Sequence, residues 1–149
     1  MQAELYCKNY DIFELDMVAN YGWIKSGMWD EVEKEIKQVV DICHTHGTAV
    51  KVILETDALT RDEIIRATKS VIIGGADFVK SSTGFYTGAK GVGASKEVVD
   101  IMMKSSDNQI KVKGSGGIRT QEHFFELIDM GIDRMGIGYK YTPIVLGIK

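Results

Sequence analysis

An α/β fold on a parallel sheet is what this sequence predicts, and three observations carry the prediction. Short apolar runs alternate with amphipathic helical stretches five times, at intervals of about thirty residues, the spacing of right-handed βαβ units. No linker or low-complexity segment divides the 149 residues, so residues 1–149 are read as a single domain. Polar residues stand at the carboxyl ends of several different strands, where a (β/α)8 barrel carries its chemistry, which favours a barrel over a doubly wound sheet. Five strands alone do not close such a barrel.

The elements follow in order. Ala3 to Lys8 reads as the end of a helix and Ile12 to Val18 as the first strand, so the chain is expected to begin in mid-architecture. From Ser26 onward Trp29, Val32, Ile36, Val39, Val40 and Cys43 recur at spacings of three and four, one apolar helix face stopped near Gly47. Ala49 to Glu55 is the second strand, and Thr60-Arg61-Asp62-Glu63 is a capping box opening a helix that runs to Gly74-Gly75. The third strand lies in the run from Gly75 to Phe85, ending at Lys80 before a Ser/Thr/Gly turn. After a glycine-rich loop, Ser95 caps a helix reaching about Lys104 with Val98, Val99, Met102 and Met103 inward. Gln109 to Gly114 is the fourth strand. Thr120 caps the next helix, with Phe124, Leu127 and Ile128 apolar and Gly131 as its stop, and Asp133 to Gly138 is the fifth strand. Thr142-Pro143 opens a last short helix with proline in its first turn.

Composition removes several function classes. A net charge of −3 and a pI near 5.6 argue against a nucleic-acid binder, so an anionic ligand is held locally. Cys7 and Cys43, far apart in sequence and without a CxxC spacing, signal neither a disulfide scaffold nor a zinc site. Apolar runs of membrane-span length and a signal-peptide layout are both missing from the sequence, which predicts a cytoplasmic protein with no membrane partner.

The chemistry centres on Lys80. It ends an apolar strand and precedes a Ser81-Ser82-Thr83-Gly84 turn, and a lysine kept in a strand is expensive to desolvate, which makes it a candidate nucleophile. The plainer alternative is a lysine whose stem lies along the strand while its head reaches water. Lys113 on the next strand tips the balance: strand alternation sets the two lysines near each other, and neighbouring cations together with burial predict a largely neutral, nucleophilic Lys80. Asp16 projects from the first strand at the same end, with Val18 and Asn20 on its side, as a carboxylate able to move protons directly or through a water.

These residues resemble one family, the deoxyribose-phosphate aldolases, class I aldolases on a TIM barrel. The similarity rests on Glu14-Leu15-Asp16-Met17-Val18, Lys25-Ser26-Gly27, the run from Val50 to Thr56, the run from Gly75 to Phe85, and Lys113-Gly114-Ser115-Gly116-Gly117-Ile118-Arg119-Thr120. It covers nearly the whole chain up to about Gly136. It implies a partial (β/α)8 TIM barrel of five parallel strands alternating with helices, matching the fourth to eighth strands of the family and lacking the first three βα units. It also implies that Lys80 forms the Schiff base, Lys113 lowers its pKa and Asp16 relays protons. The implied reaction is reversible cleavage of 2-deoxy-D-ribose 5-phosphate to D-glyceraldehyde 3-phosphate and acetaldehyde, with no metal or organic cofactor because the imine is the electron sink.

The sugar phosphate is expected on Gly116, Gly117 and Gly138, with Asn20 and Lys51 as further substrate contacts. Where the family carries a Ser-rich turn, this chain has Gly136-Ile137-Gly138-Tyr139-Lys140, which leaves open a different or non-phosphorylated aldehyde. Missing strands leave sheet edges and an apolar interior exposed, which predicts either a fragment of a longer product or assembly with copies or a partner that supplies the rest. A catalytically silent half-barrel serving only in assembly is the alternative from another class. Lys51 and Glu55 share a face and either support the cavity or pair with each other. His44 and His46 at a helix end and a solvent-facing His123 are not expected to bind metal, and the loop from Gly84 to Gly93, with Lys90, reads as a mobile cover rather than a nucleotide loop.

Overall fold

The computed structural model describes residues 2–88 and 91–148, so Lys90 of the expected cover lies outside the described residues. Five parallel strands, β1 (Glu14–Val18), β2 (Ala49–Ile53), β3 (Phe78–Lys80), β4 (Lys111–Ser115) and β5 (Arg134–Gly136), lie side by side in chain order. That order never reverses, as it would at the switch point of a doubly wound sheet, so the barrel-type winding is the correct alternative. The helices are α1 (Gln2–Asn9), α2 (Tyr21–Lys25), α3 (Trp29–Thr45), α4 (Arg61–Ile73), α5 (Lys96–Ser106), α6 (Gln121–Asp129) and α7 (Thr142–Leu146). Among the described residues no helix is long and apolar enough to cross a membrane.

Local chemistry sets these limits. Thr60 and Glu63 form the reciprocal capping box at the start of α4, while Ser95 and Thr120 each accept an N–H at 3.3 Å to begin α5 and α6. On α3 the predicted face is the buried one, through Val32, Ile36, Val40 and Cys43. It meets α4 closely: a Cβ on Gly74 would collide with the side chain of Ile36. Val50, Val52, Leu54, Val79 and Val112 face the helices and are essentially inaccessible, each contributing about 1.5–3 kcal/mol by leaving water. Cys7 on α1 and Cys43 on α3, distant in sequence, meet in this layer with sulfurs 3.8 Å apart as free thiols. Burial, then the contact with Cys7, pushes the Cys43 thiol up to about 12, so it stays protonated.

The pairing register reveals the curvature. Val18, Ile53, Lys80, Lys113 and Arg134 are successive ladder partners from β1 to β5. Yet Arg134 does not meet Val18; its Nη1 lies 2.5 and 2.6 Å from the carboxylate of Glu14, four residues earlier on β1. The sheet therefore slips one residue per strand as it curls, which continued through eight strands gives a shear of eight, that of a (β/α)8 barrel.

The opposite sheet face was expected to be apolar, and this is corrected: it carries the carboxylates of Glu14 and Asp16, ion-paired among the four cations Lys51, Lys80, Lys113 and Arg134. Exposed apolar side chains do flank both outer strands, with Tyr6, Phe13 and Val18 beside β1 and Phe125, Ile128, Ile144 and Leu146 on α6 and α7.

Candidate active site

The one-residue slip sorts the interior side chains into layers drawn from alternate strands. Lowest are Glu14, Phe78 and Arg134 from β1, β3 and β5, with the Arg134 guanidinium 4.8 Å from the Phe78 ring centroid. Next are Lys51 and Lys113 from β2 and β4. Uppermost, toward the carboxyl ends, are Asp16 and Lys80 from β1 and β3, with Gly136 of β5 in the same layer.

The distances follow from this stacking. Lys80 Nζ donates to Asp16 Oδ2 at 2.7 Å, and Lys113 Nζ lies 3.9 Å from the same oxygen. Lys51, one strand over and therefore level with the gap between Glu14 and Asp16, reaches both carboxylates at 2.9 Å. The three residues proposed for chemistry thus converge on one side of the sheet.

Electrostatics match the geometry. Burial opposes the Asp16 charge, but hydrogen bonds from Lys80 and Lys51 outweigh it and hold the carboxyl below the usual aspartate range. Lys113 is held below the usual lysine value by burial first, against the pull of Asp16, and further by the positive charges of Lys80, Lys51 and Arg134. Glu14 is drawn down to about 2 by its hydrogen bonds to Arg134 and then Lys51.

A cavity of about 420 Å³ opens beside Lys80. Its lining includes Thr83, Gly84, Gly116, Gly117, Gly138 and Tyr141, so the three glycines expected to hold substrate are placed with the lysine. Gly136 belongs to the wall; a Cβ there would sit 3.4 Å from Lys113 Cε, so its missing side chain keeps the space before Lys80 open.

Two expected substrate contacts lie outside this cavity lining. Asn20 caps α2, its Oδ1 accepting the Trp23 N–H at 3.2 Å, because the chain turns into this short helix directly after β1. Lys51 is buried beneath Asp16 with both carboxylates as partners and is outside the cavity lining. Nor does it pair with Glu55. That residue leaves the strand in the left-handed region at φ 56° and turns its carboxylate onto the Thr83 N–H and hydroxyl.

Sequence reasoning missed this anchor and its neighbour Asp57, which accepts the N–H groups of Val92 and Gly93 at 2.8 and 3.0 Å. The two acids pin both ends of the loop read as a mobile cover. Their signal was present as paired acids in a polar Glu55-Thr56-Asp57 run at a strand end. His123 does not simply face solvent, its Nε2 lying 2.9 Å from the Ala94 carbonyl. His44 bonds Asp77 at 2.8 Å, and among the described residues no group of three or more His, Cys, Asp or Glu is placed to hold a metal ion.

The profile of the "DeoC/LacD family aldolase" matches residues 6–141. The deoxyribose-phosphate aldolase of Desulfitobacterium hafniense (strain DSM 10664 / DCB-2) is 42% identical over 136 residues, covering 91% of this chain and 61% of the relative. That of Thermococcus gammatolerans is 46% identical over 123 residues, covering 83% and 53%. Among solved structures, the tetrameric deoxyribose phosphate aldolase from Aeropyrum pernix superposes with a TM-score of 0.75 at 28% identity, covering 91% of this chain and 54% of its own. The chain thus spans roughly half to three fifths of the length of the relatives it matches. With the profile running through every strand, the chain belongs to the DeoC/LacD aldolase family.

Proposed function

We propose that this chain carries the Schiff-base centre of an aldolase that reversibly cleaves 2-deoxy-D-ribose 5-phosphate to acetaldehyde and D-glyceraldehyde 3-phosphate. The observation that carries the reading is one carboxylate oxygen, Asp16 Oδ2, shared by Lys80 at 2.7 Å and Lys113 at 3.9 Å beside a glycine-lined cavity.

Lys80 Nζ attacks C1 of the open-chain aldehyde, water leaves, and a protonated imine remains on the lysine. Asp16, a carboxylate at neutral pH, takes the C3 hydroxyl proton directly or through a water. The C2–C3 bond then breaks, its electron pair passes into the imine to give an enamine, and C3 leaves as the aldehyde carbon of glyceraldehyde 3-phosphate. Returning the proton to C2 and adding water releases acetaldehyde and restores Lys80. The imine supplies the electron sink, so the reading calls on no metal or organic cofactor. Lys113, the ladder partner of Lys80, adds the positive charge that crowds the attacking amine. Gly116, Gly117 and Gly138 seat the phosphate on backbone N–H groups that no Cβ of their own obstructs, with Arg119 also in the cavity lining.

Association with copies or with a partner that covers β1 and β5 is part of the reading, supported by the exposed apolar flanks of both strands. Trapping tests the chemistry: incubation with acetaldehyde and borohydride is expected to leave a reduced two-carbon adduct on Lys80, located by mass spectrometry and lost in Lys80→Leu. A folded chain that gives no adduct overturns the proposal in favour of a silent half-barrel. Ile137 and Tyr141 in the cavity wall favour, as a second reading, an aldehyde without phosphate, which equal turnover of deoxyribose and its 5-phosphate would establish.

A further inference from the structure

Asp57 stands in the short turn Thr56–Ala58 after β2, outside the cavity lining. Among the described residues, the groups its carboxylate holds lead to the glycine turn after β4. Oδ1 accepts the backbone N–H groups of Val92 and Gly93 at 2.8 and 3.0 Å, and Oδ2 accepts the Ser82 hydroxyl at 3.3 Å.

From the first pair the path is backbone on backbone. Ala94 N–H donates to the Gly116 carbonyl at 2.9 Å. A Cβ on Gly93 would collide with the Gly116 backbone, and one on Gly117 would come within 2.6 Å of the Val92 carbonyl. Gly93, Gly116 and Gly117 all lie at positive φ, so the close approach and the turn depend on the same glycines. The second path runs through Ser82, whose carbonyl accepts the Ser115 hydroxyl, while Ser81 Oγ both donates to the Ser115 carbonyl and accepts its N–H at 2.9 Å. One carboxylate therefore grips the Gly116–Gly117 turn from the 91–94 side and from the end of β3.

We infer that Asp57 is a positioning residue of the anion seat, fixing the Gly116–Gly117 turn for a phosphate group while standing apart from the amine chemistry at Lys80. The inference rests on the proposed function only in taking that turn as the seat for phosphate. A carboxylate near an anion is ordinarily unfavourable; this one has its lone pairs turned onto two N–H groups and a hydroxyl, which spends its charge on holding the loop.

The test uses the full chain with inorganic phosphate as probe, following the Gly116 and Gly117 amide resonances during titration. Phosphate is expected to shift both resonances in the unaltered protein, and Asp57→Ala is expected to weaken binding at least tenfold. Asp57→Asn keeps an oxygen for both N–H groups and is expected to stay within about threefold. Borohydride-trapped acetaldehyde on Lys80, which needs no phosphate, is expected to change less than twofold in both variants. Phosphate binding in Asp57→Ala equal to that of the parent, or absence of any Gly116 and Gly117 response in the parent, overturns the inference. So does a parallel loss of phosphate binding and adduct, which would mark Asp57 as a general support of the fold. A parent that binds phosphate at the two glycines yet forms no adduct keeps this inference and loses the aldolase reading.

Discussion

Replacing Arg134 by methionine removes the ion pair that joins β5 to β1, and its consequence can be worked from the structure. Glu14 is lowered from an ordinary 4.5 to about 2, with Arg134 the first cause and Lys51 the second. A displacement of that size would correspond to about 3 kcal/mol for a buried carboxylate. Here the Glu14 and Arg134 side chains are 34% and 42% exposed, so solvent screens most of it, and Lys51 keeps its share; about 1 kcal/mol remains for Arg134. For a domain of this size that is a fall in melting temperature of about 2–4 °C. The folded pKa is the depressed one, so the stabilisation is whole above the unfolded value near 4.5 and is lost as pH falls through about 2. Thermal unfolding of parent and Arg134→Met at pH 6 is expected to show the gap, smaller in high salt, and at pH 2 most of it is expected to close. Equal gaps at both pH values would assign the effect to the Arg134 stack on Phe78 rather than to the ion pair, and the reasoning would fail.

Other perturbations address the site itself. Lys51→Met leaves Asp16 with Lys80 but takes away its second hydrogen bond, so kcat should fall about tenfold with KM little changed, and urea denaturation should show a loss of about 1–3 kcal/mol. Lys113→Leu removes a positive charge beside the attacking amine; kcat should fall with some turnover remaining, and borohydride trapping should still mark Lys80. Thr60→Ala removes the capping box of α4, which touches neither Lys80 nor Asp16, and should cost about 1 kcal/mol by denaturant titration with adduct formation on Lys80 unchanged.

The strands and long helices were legible because their signals are local. Thr60, Ser95 and Thr120 cap the helices they were expected to cap, and the three-and-four spacing from Trp29 to Cys43 selects the buried face of α3. The short helix α2 is not visible in the sequence because five residues are too few for a period, so the capping role of Asn20 is not visible there either. Alternation along a strand put Lys80, Lys113 and Asp16 on one face, but alternation carries no information about the stagger between strands. That is why Lys51 was read as a substrate contact and why the pair between Glu14 and Arg134, 120 positions apart, was not anticipated. Glu55 and Asp57 were opaque for a related reason: their partners are mainly backbone N–H groups on a distant loop, which every residue type but proline offers.

The stagger also explains why a centre of this kind is assembled within five strands. With one residue of slip per strand, a side chain on β3 meets a β1 residue two positions before its ladder equivalent, and Lys80, equivalent to Val18, accordingly meets Asp16. The same rule carries Arg134, four strands along, to Glu14, and sets Lys51 between Glu14 and Asp16. Moving Lys80 by one residue along β3 would turn its side chain toward the helices, and moving it by two would place it outside the Asp16 layer. The chemistry therefore depends on the register of the β1, β2 and β3 ladders more than on any single contact. The layer also has Gly136 on β5, where a Cβ would come within 3.0 Å of the Ser115 Cβ and a longer side chain would enter the cavity through which a carbonyl carbon has to approach Lys80.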